Sequence, residues 1–451
     1  MATSTQQFQV ELYQEHLDEA SFLYEQRLVY LHDPEVNWSD LGDWEERFEA
    51  HIDALVVGGE LALDVCRQQA ADGDAGEMHA ALRVFCRQNQ KDDAFAVLDA
   101  LDPTDEEAVR AAAQALCCET PTSWRDDLQR AFQGDQPQLT PVMARVIGYR
   151  RLPSEELLKS KLTARPSFGS ADSAWALGRV GSAESWPVLR PLLDSNDELV
   201  CEAAAIALLR LGDDQPLQRA MLAAPAHPWA RRVLGIGGNS ASVRMLLDVL
   251  KGQSADEAAV VALGLLGDLG AVAPLVDLLD DDDLSEPAAV ALNTITGAGL
   301  YTDVFLQDEF DPDELLDEER EAYERDGTVP TRDDGQPLGD WEHRPLLEKA
   351  EWRAWLDQNK QRFSREHCWR MGTPYGPMAL FECLRSETSP YSVRVATYEE
   401  LVVRYGLDVP FEVELRVSQQ VRFLRKIEDW VTLQSGKFTS GRRYFAGRVQ
   451  G

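Results

Sequence analysis

Apolar residues recur along this chain at helical rather than strand spacing, and the spacing itself repeats. Near the start, Leu41, Trp44, Phe48, Ile52 and Leu55 fall on one stripe with a period close to that of an α-helix. The pattern predicts helices over residues 10–31 and 40–66, joined by a turn at His32-Asp33-Pro34, with Ser39 as N-cap of the second. Residues 1–66 are read as a helical cap on a longer helical array.

From residue 67 to 299 one unit recurs: an alanine-rich helix ending in a Leu-Gly step, a short polar turn, and a Pro/Leu-rich helix with Leu-Leu near its end. The clearest copies are 174–194 and 260–280. The apolar residue at the equivalent step is Leu82, Leu116, Ile147, Leu177, Leu208, Leu234, Leu263 and Leu292, with gaps of 34, 31, 30, 31, 26, 29 and 29. A period near thirty without strand alternation is what stacked helical hairpins need, since each hides its apolar face only against its neighbours. The predicted fold is therefore all-α: an α-solenoid of HEAT-like helical hairpin repeats with an N-terminal helical cap and a C-terminal helical extension. Small residues at Ala176, Gly178, Ala262 and Gly264 let helix backbones approach, and Gly181, Gly212 and Gly267 are placed to end helices in the left-handed conformation.

The repeat stops near residue 300. Between Asp303 and Asp326 there are twelve carboxylates against Arg320 and Arg325, so 300–345 is read as an exposed, partly ordered acidic insertion with a short helix over 309–323. Helical spacing returns over 346–405, read as further helical repeats. The tail, 406–451, carries eight Lys/Arg against five Asp/Glu, and as the basic portion it either folds back on an acidic surface or meets a partner.

Charge narrows the function. The chain has 44 Lys+Arg against 78 Asp+Glu, a formal net charge of −34, which repels phosphate backbones and anionic membranes. No nucleic acid and no membrane partner is expected. No run of apolar residues is long enough to span a bilayer, no secretory signal is visible, and seven scattered cysteines suit a reducing cytoplasm, so a cytoplasmic protein is expected.

Two blocks carry a resemblance. Residues 14–23, with His16, Asp18 and Glu19, are similar to an acidic His-Leu-x-Glu-Ala opening, and residues 43–55, with Arg47, His51 and Asp53, to an Arg-(apolar)-x-Ala-His-(Leu/Ile)-Asp helix. With Thr294-Ile295-Thr296-Gly297 and the segment 352–372, the chain resembles the bacterial HEAT-repeat family associated with type VI secretion gene clusters. The resemblance runs in order over most of the chain; the acidic insertion and the tail after Asp429 carry it least. It implies a setting: a cytoplasmic accessory protein, an effector adaptor or an immunity-type neutraliser, whose protein partner is a secreted effector, a spike protein or a basic toxin domain.

Catalytic readings find little. A di-iron site of the hydroxylase type needs repeated His-Glu pairs, and only the reversed pairs Glu342-His343 and Glu366-His367 occur. The run 308–314 lacks the glycine and spacing of a calcium loop. Gly235-Ile236-Gly237-Gly238 lacks a nucleotide fingerprint and is read as a turn between helices, and adjacent Cys117 and Cys118 diverge on a helix. No cofactor or metal is expected, and the function expected is non-catalytic protein binding. The alternatives are a HEAT-like enzyme with its site at His16, Asp18, Glu19, His51 and Asp53, or a general interaction scaffold. Trp341, Trp352, Trp355 and Trp369 are candidate partner contacts, because aromatic anchors often dominate interfaces, with core packing as the competing role.

Overall fold

The computed structural model describes residues 5–450 except 135, 164–167, 253, 308–314, 316, 328–330, 332–335, 337 and 435. The cap consists of α1 (Thr5–His32), α2 (Leu41–Val57) and α3 (Gly59–Asp72). The helix predicted over 40–66 is thus two helices. Gly59 takes φ +64, and a Cβ on Gly58 would stand 2.7 Å from the Tyr13 ring and 2.7 Å from Ala62, so the chain bends where α1 crosses closest. Ser39 does not cap α2: Asp40 stands at the N-cap, and the Ser39 hydroxyl donates to Glu387 at 3.1 Å.

The array alternates first and second helices. The pairs are α4 (Ala75–Arg87) with α5 (Lys91–Ala100), α6 (Glu106–Glu119) with α7 (Arg125–Gln133), α8 (Leu139–Arg150) with α9 (Glu155–Thr163), and α10 (Ser170–Val180) with α11 (Trp186–Leu189). They continue as α12 (Glu198–Arg210) with α13 (Gln215–Ala223), α14 (Pro228–Gly237) with α15 (Ser240–Leu250), and α16 (Glu257–Leu266) with α17 (Val272–Asp277), closing on α18 (Ser285–Thr296). All eight step residues, Leu82 through Leu292, lie on first helices and are buried.

First helices pack directly on one another from α4 to α18, apart from a looser step between α12 and α14, and form one continuous row. Small residues set the spacing. A Cβ on Gly178 of α10 would stand 2.7 Å from the Ala207 Cα of α12, and those on Gly235 and Gly264 would stand 3.0 Å from the Cα atoms of Ala262 and Ala291. Asp74, Asp105, Asp197 and Asp256 each accept a backbone N–H at the start of α4, α6, α12 and α16, so part of the acidity is helix capping. Gly212 and Gly267 take positive φ as expected. Gly181 instead ends α10 in extended backbone, φ −82 and ψ −177. Gly235 and Gly237 lie within α14, and Gly238 caps its C-terminal end.

Beyond α18 the acidic stretch contains a hairpin that helical spacing did not predict. Strand β1 (Tyr301–Gln307) pairs antiparallel with β2 (Gly339–Pro345), in register from Tyr301–Pro345 to Gln307–Gly339, with α19 (Asp317–Asp326) between them. Tyr301, Val304 and Phe305 give this segment a β-branched and aromatic character that the carboxylate count conceals. The start of the helix predicted over 309–323 and the run 308–314 lie outside the described residues.

The remainder is α20 (Lys349–Asn359), a hairpin of β3 (Trp369–Arg370) and β4 (Thr373–Pro374), α21 (Pro377–Arg385), α22 (Tyr391–Tyr405), α23 (Val417–Gln434) and a hairpin of β5 (Tyr444–Phe445) and β6 (Arg448–Val449). The segment read as further repeats does not extend the row. Helix α22 lies across α12, α14 and α16, and α23 returns to α2. This C-terminal part has its own core, including Tyr375, Phe381, Tyr398, Phe411 and Ile427. Of the two outcomes expected for the basic tail, folding back is the one observed.

Candidate functional site

The N-terminal motif is brought together only in part. His16 on α1 and His51 on α2 meet with their Nδ1 atoms 3.1 Å apart and their rings edge to face. That contact requires one imidazole to donate and the other to accept. Burial, and then the neighbouring His16, hold the His51 pKa below its ordinary value. The other motif residues diverge. Arg47 stacks over Trp44 at 5.2 Å, Asp53 pairs with Arg87 at 2.6 Å, and Asp18 and Glu19 lie exposed on α1. Among the described residues no group of three or more His, Cys, Asp or Glu side chains is placed to hold a metal ion.

The tryptophans sort by burial. Trp352 and Trp369 are core: the Trp352 indole donates to the Leu346 carbonyl at 2.6 Å, and Trp369 lies against α16 with its backbone N–H on the Gly267 carbonyl. Neither is open to a partner, which corrects their reading as contacts; helical spacing marks a buried face as readily as an anchor. Trp355 is half-buried against Phe363. Trp341, on β2 beside Phe305, is 70% exposed.

What sequence reasoning missed is an ionic seam between the row and the C-terminal part, formed by three clusters. At the N-terminal end, Glu49 and Glu119 each bridge Arg83 (2.7 and 2.7 Å) and Arg416 (2.8 and 3.1 Å). Burial pulls the Glu119 pKa up, but Arg87 and Arg83 outweigh it and hold the carboxyl down at about 2. In the middle, Glu412 takes Arg179 at 2.6 Å and Arg151 at 3.0 Å, while Glu399 takes Arg179 at 3.0 Å and Arg210 at 2.6 Å. At the far end, Glu400 takes Arg370 at 2.7 Å and the Tyr375 hydroxyl, while Arg404 reaches the Gly235 and Gly238 carbonyls and Arg443 reaches that of Leu266. These partners are far apart in sequence, and no local spacing joins them.

Between α22 and the row lies a cavity of about 340 Å³. Its walls are apolar, with Trp175, Ile206, Ile236, Val261 and Val395. On its charged rim Arg145 pairs with Asp172 at 2.5 Å and Arg232 with Glu202 at 2.5 Å, while Glu414 accepts the Tyr391 hydroxyl at 2.9 Å. The space can take an apolar group.

Fold and surface together define an all-helical repeat solenoid whose row is covered by the chain's own C-terminal part. No known protein-family model and no curated protein matches the chain. Among the described residues no helix is long and apolar enough to cross a membrane.

Proposed function

We propose that this chain is a non-catalytic binding protein that takes a basic protein partner on its acidic outer surface. The observation that carries this reading is where the cations go. Arg83, Arg179, Arg210, Arg370, Arg404 and Arg443 are turned into the seam, whereas Asp18, Glu19, Glu106, Glu107, Asp282 and Asp283 stand exposed, and the cations that also stand exposed, among them Arg422, Arg425 and Lys426, are outnumbered by carboxylates. A surface so divided, on a chain of net charge −34, steers a positively charged domain toward it from a distance. The setting we propose is cytoplasmic, in a type VI secretion module, as effector adaptor or immunity-type neutraliser; the N-terminal motif's resemblance supports it.

An enzyme is the second reading, and the 3.1 Å His16–His51 contact is what favours it. Asp53 is taken by Arg87, and among the described residues no carboxylate hydrogen-bonds either imidazole as a triad orienter would.

The experiment is affinity capture of the tagged protein from a bacterial host at low and high salt, and then association kinetics with the protein recovered. A basic effector domain whose on-rate falls steeply with salt while its off-rate hardly changes is the expected result. A flat on-rate, or turnover abolished by His51→Ala, would overturn it.

A further inference from the structure

We propose that the outer face of α1 is the docking surface for one element of that partner, a basic amphipathic helix. The proposal rests on the reading of a basic protein partner and adds where on this chain it binds.

Helix α1 is 28 residues long, and its inward face is set by Leu17, Ala20, Leu23, Tyr24 and Leu31. A helix that packs on one side normally shows water a polar face. This one shows water large apolar side chains as well: Phe8 is 59% exposed, Phe22 50% and Val29 59%. Positions 8, 22 and 29 differ by multiples of seven, in a series completed by Glu15, so the three side chains lie along one stripe of the helix. At 1.5 Å per residue this seam runs about 30 Å, roughly five to six helical turns of a partner.

The same face carries Glu11, Glu15, Asp18, Glu19 and Glu25, all exposed. The single Lys or Arg of α1, Arg27, is turned inward onto Glu45 at 2.8 Å. More carboxylates arrive from the starts of α4 and α6, which abut α1 where the Ser21 hydroxyl donates to Asp74 at 2.8 Å. Their crowding has a consequence. The Glu25 pKa is raised by burial and by Asp74 and Glu107, and that of Glu77 is raised by burial and by Asp74 and Asp18. The nearby cations are Arg47, at the α2 edge, and Arg110, beside Tyr24.

Charge selects the occupant. A second copy laid on this seam would set five carboxylates against five, and nucleic acid or an anionic bilayer would be repelled. A helix with apolar residues at heptad spacing and Lys or Arg beside them covers Phe8, Phe22 and Val29 and relieves the crowding at Glu25.

The test uses the full chain and two fluorescein-labelled peptides of identical Leu/Lys composition, one with leucines on a heptad stripe and one scrambled, read by fluorescence anisotropy at low salt. The striped peptide is expected to bind more tightly than the scrambled one. Phe8→Ala/Phe22→Ala/Val29→Ala should weaken the striped peptide by at least about tenfold and leave the scrambled one unchanged. Asp18→Asn/Glu25→Gln should weaken it and flatten its salt dependence, while Asp282→Asn/Asp283→Asn, at an equally acidic but distant site, should not. All these side chains are exposed, so unchanged thermal melts are expected to accompany each variant. Tight binding indifferent to the apolar triple variant overturns the docking site while sparing the basic-partner reading. Equal affinity for both peptides overturns the site as well, reducing the face to a polyanion. Binding of neither peptide overturns both. A dimer in light scattering that the triple variant dissolves assigns the seam to a second copy and overturns the proposal.

Discussion

Glu400→Leu tests the seam where it is most deeply buried. Glu400, Arg370 and Arg404 have side chains 0% exposed, and the carboxylate takes Arg370 at 2.7 Å, Arg404 at 3.5 Å and the Tyr375 hydroxyl. Burial opposes the charge on Arg370, but Glu400 outweighs it, and the guanidinium pKa stands above its ordinary value. With leucine at 400, both arginines keep their carbonyl partners, Leu265 for one and Gly235 and Gly238 for the other, yet neither has a counter-charge. Breaking a buried pair from one side destabilises a fold by about 3–5 kcal/mol, and that is the loss expected in urea unfolding monitored by circular dichroism. Arg370→Met/Glu400→Leu removes one stranded charge with its partner, so its loss should fall short of the summed single effects by about 2 kcal/mol. A loss under about 1 kcal/mol for Glu400→Leu, or strictly additive effects, would refute the reasoning.

The same structure sets three further outcomes. Burial raises the Glu412 pKa and Arg179 with Arg151 outweighs it, bringing it from 4.5 down to about 2; its stabilisation is complete above 4.5 and lost as pH falls toward 2. Wild type should therefore lose about 3 kcal/mol more than Glu412→Gln across that window, measured by acid titration of thermal melts. Gly178→Val should lower stability by about 3 kcal/mol, because its Cβ would press on the Ala207 backbone of α12; an unchanged urea midpoint would mean that the row tolerates wider spacing. Cys66, Cys86, Cys117, Cys201 and Cys383 are buried and free, and burial pushes the Cys66 and Cys86 thiols up to about 12, so a thiol reagent should modify at most Cys118 and Cys368 until denaturant is added.

The row was legible because it rests on local information. The Leu-Gly step recurs with the hairpin, and Leu82 through Leu292 landed on successive first helices with Gly178 and Gly264 at their contacts, whereas Gly235, read as part of a turn, lies inside α14 at a third such contact. The bend at Gly58 and the β1–β2 hairpin were not legible: one depends on where Tyr13 crosses, and in the other a strand is embedded among carboxylates whose count dominates its composition. The seam was least legible. Glu399 and Glu400 lie in a segment read only as further helical repeats, and the arrival of Arg210 and Arg370 from other parts of the chain shows why α22 buries charge on several sides. In the candidate site, the His16–His51 contact comes from two helices side by side, whereas the exposed seam of Phe8, Phe22 and Val29 is visible in sequence only once the inward face of α1 is known.

The ionic seam also bears on where a partner can bind. Repeat solenoids commonly offer the face of one helix row to their partners. Here a partner taking that face must first lift α22 and the residues around Glu412 and Arg416, breaking the ion pairs of Glu412 and Glu399 with Arg179 and Arg210, those of Arg416 with Glu49 and Glu119, and the hydrogen bonds from Arg404 to the Gly235 and Gly238 carbonyls. Lifting α22 also exposes Val393, Ala396 and Val403, which are buried in the core of the row, so the displacement subtracts from a binding energy that for a micromolar complex is only about 8 kcal/mol. Competition for the row therefore requires a partner that rebuilds the same salt bridges, whereas the outer face of α1 and the β1–β2 hairpin with Trp341 can be engaged with the fold intact. That asymmetry predicts that removing exposed side chains on α1 changes affinity without changing stability, and that weakening the ionic seam does the reverse.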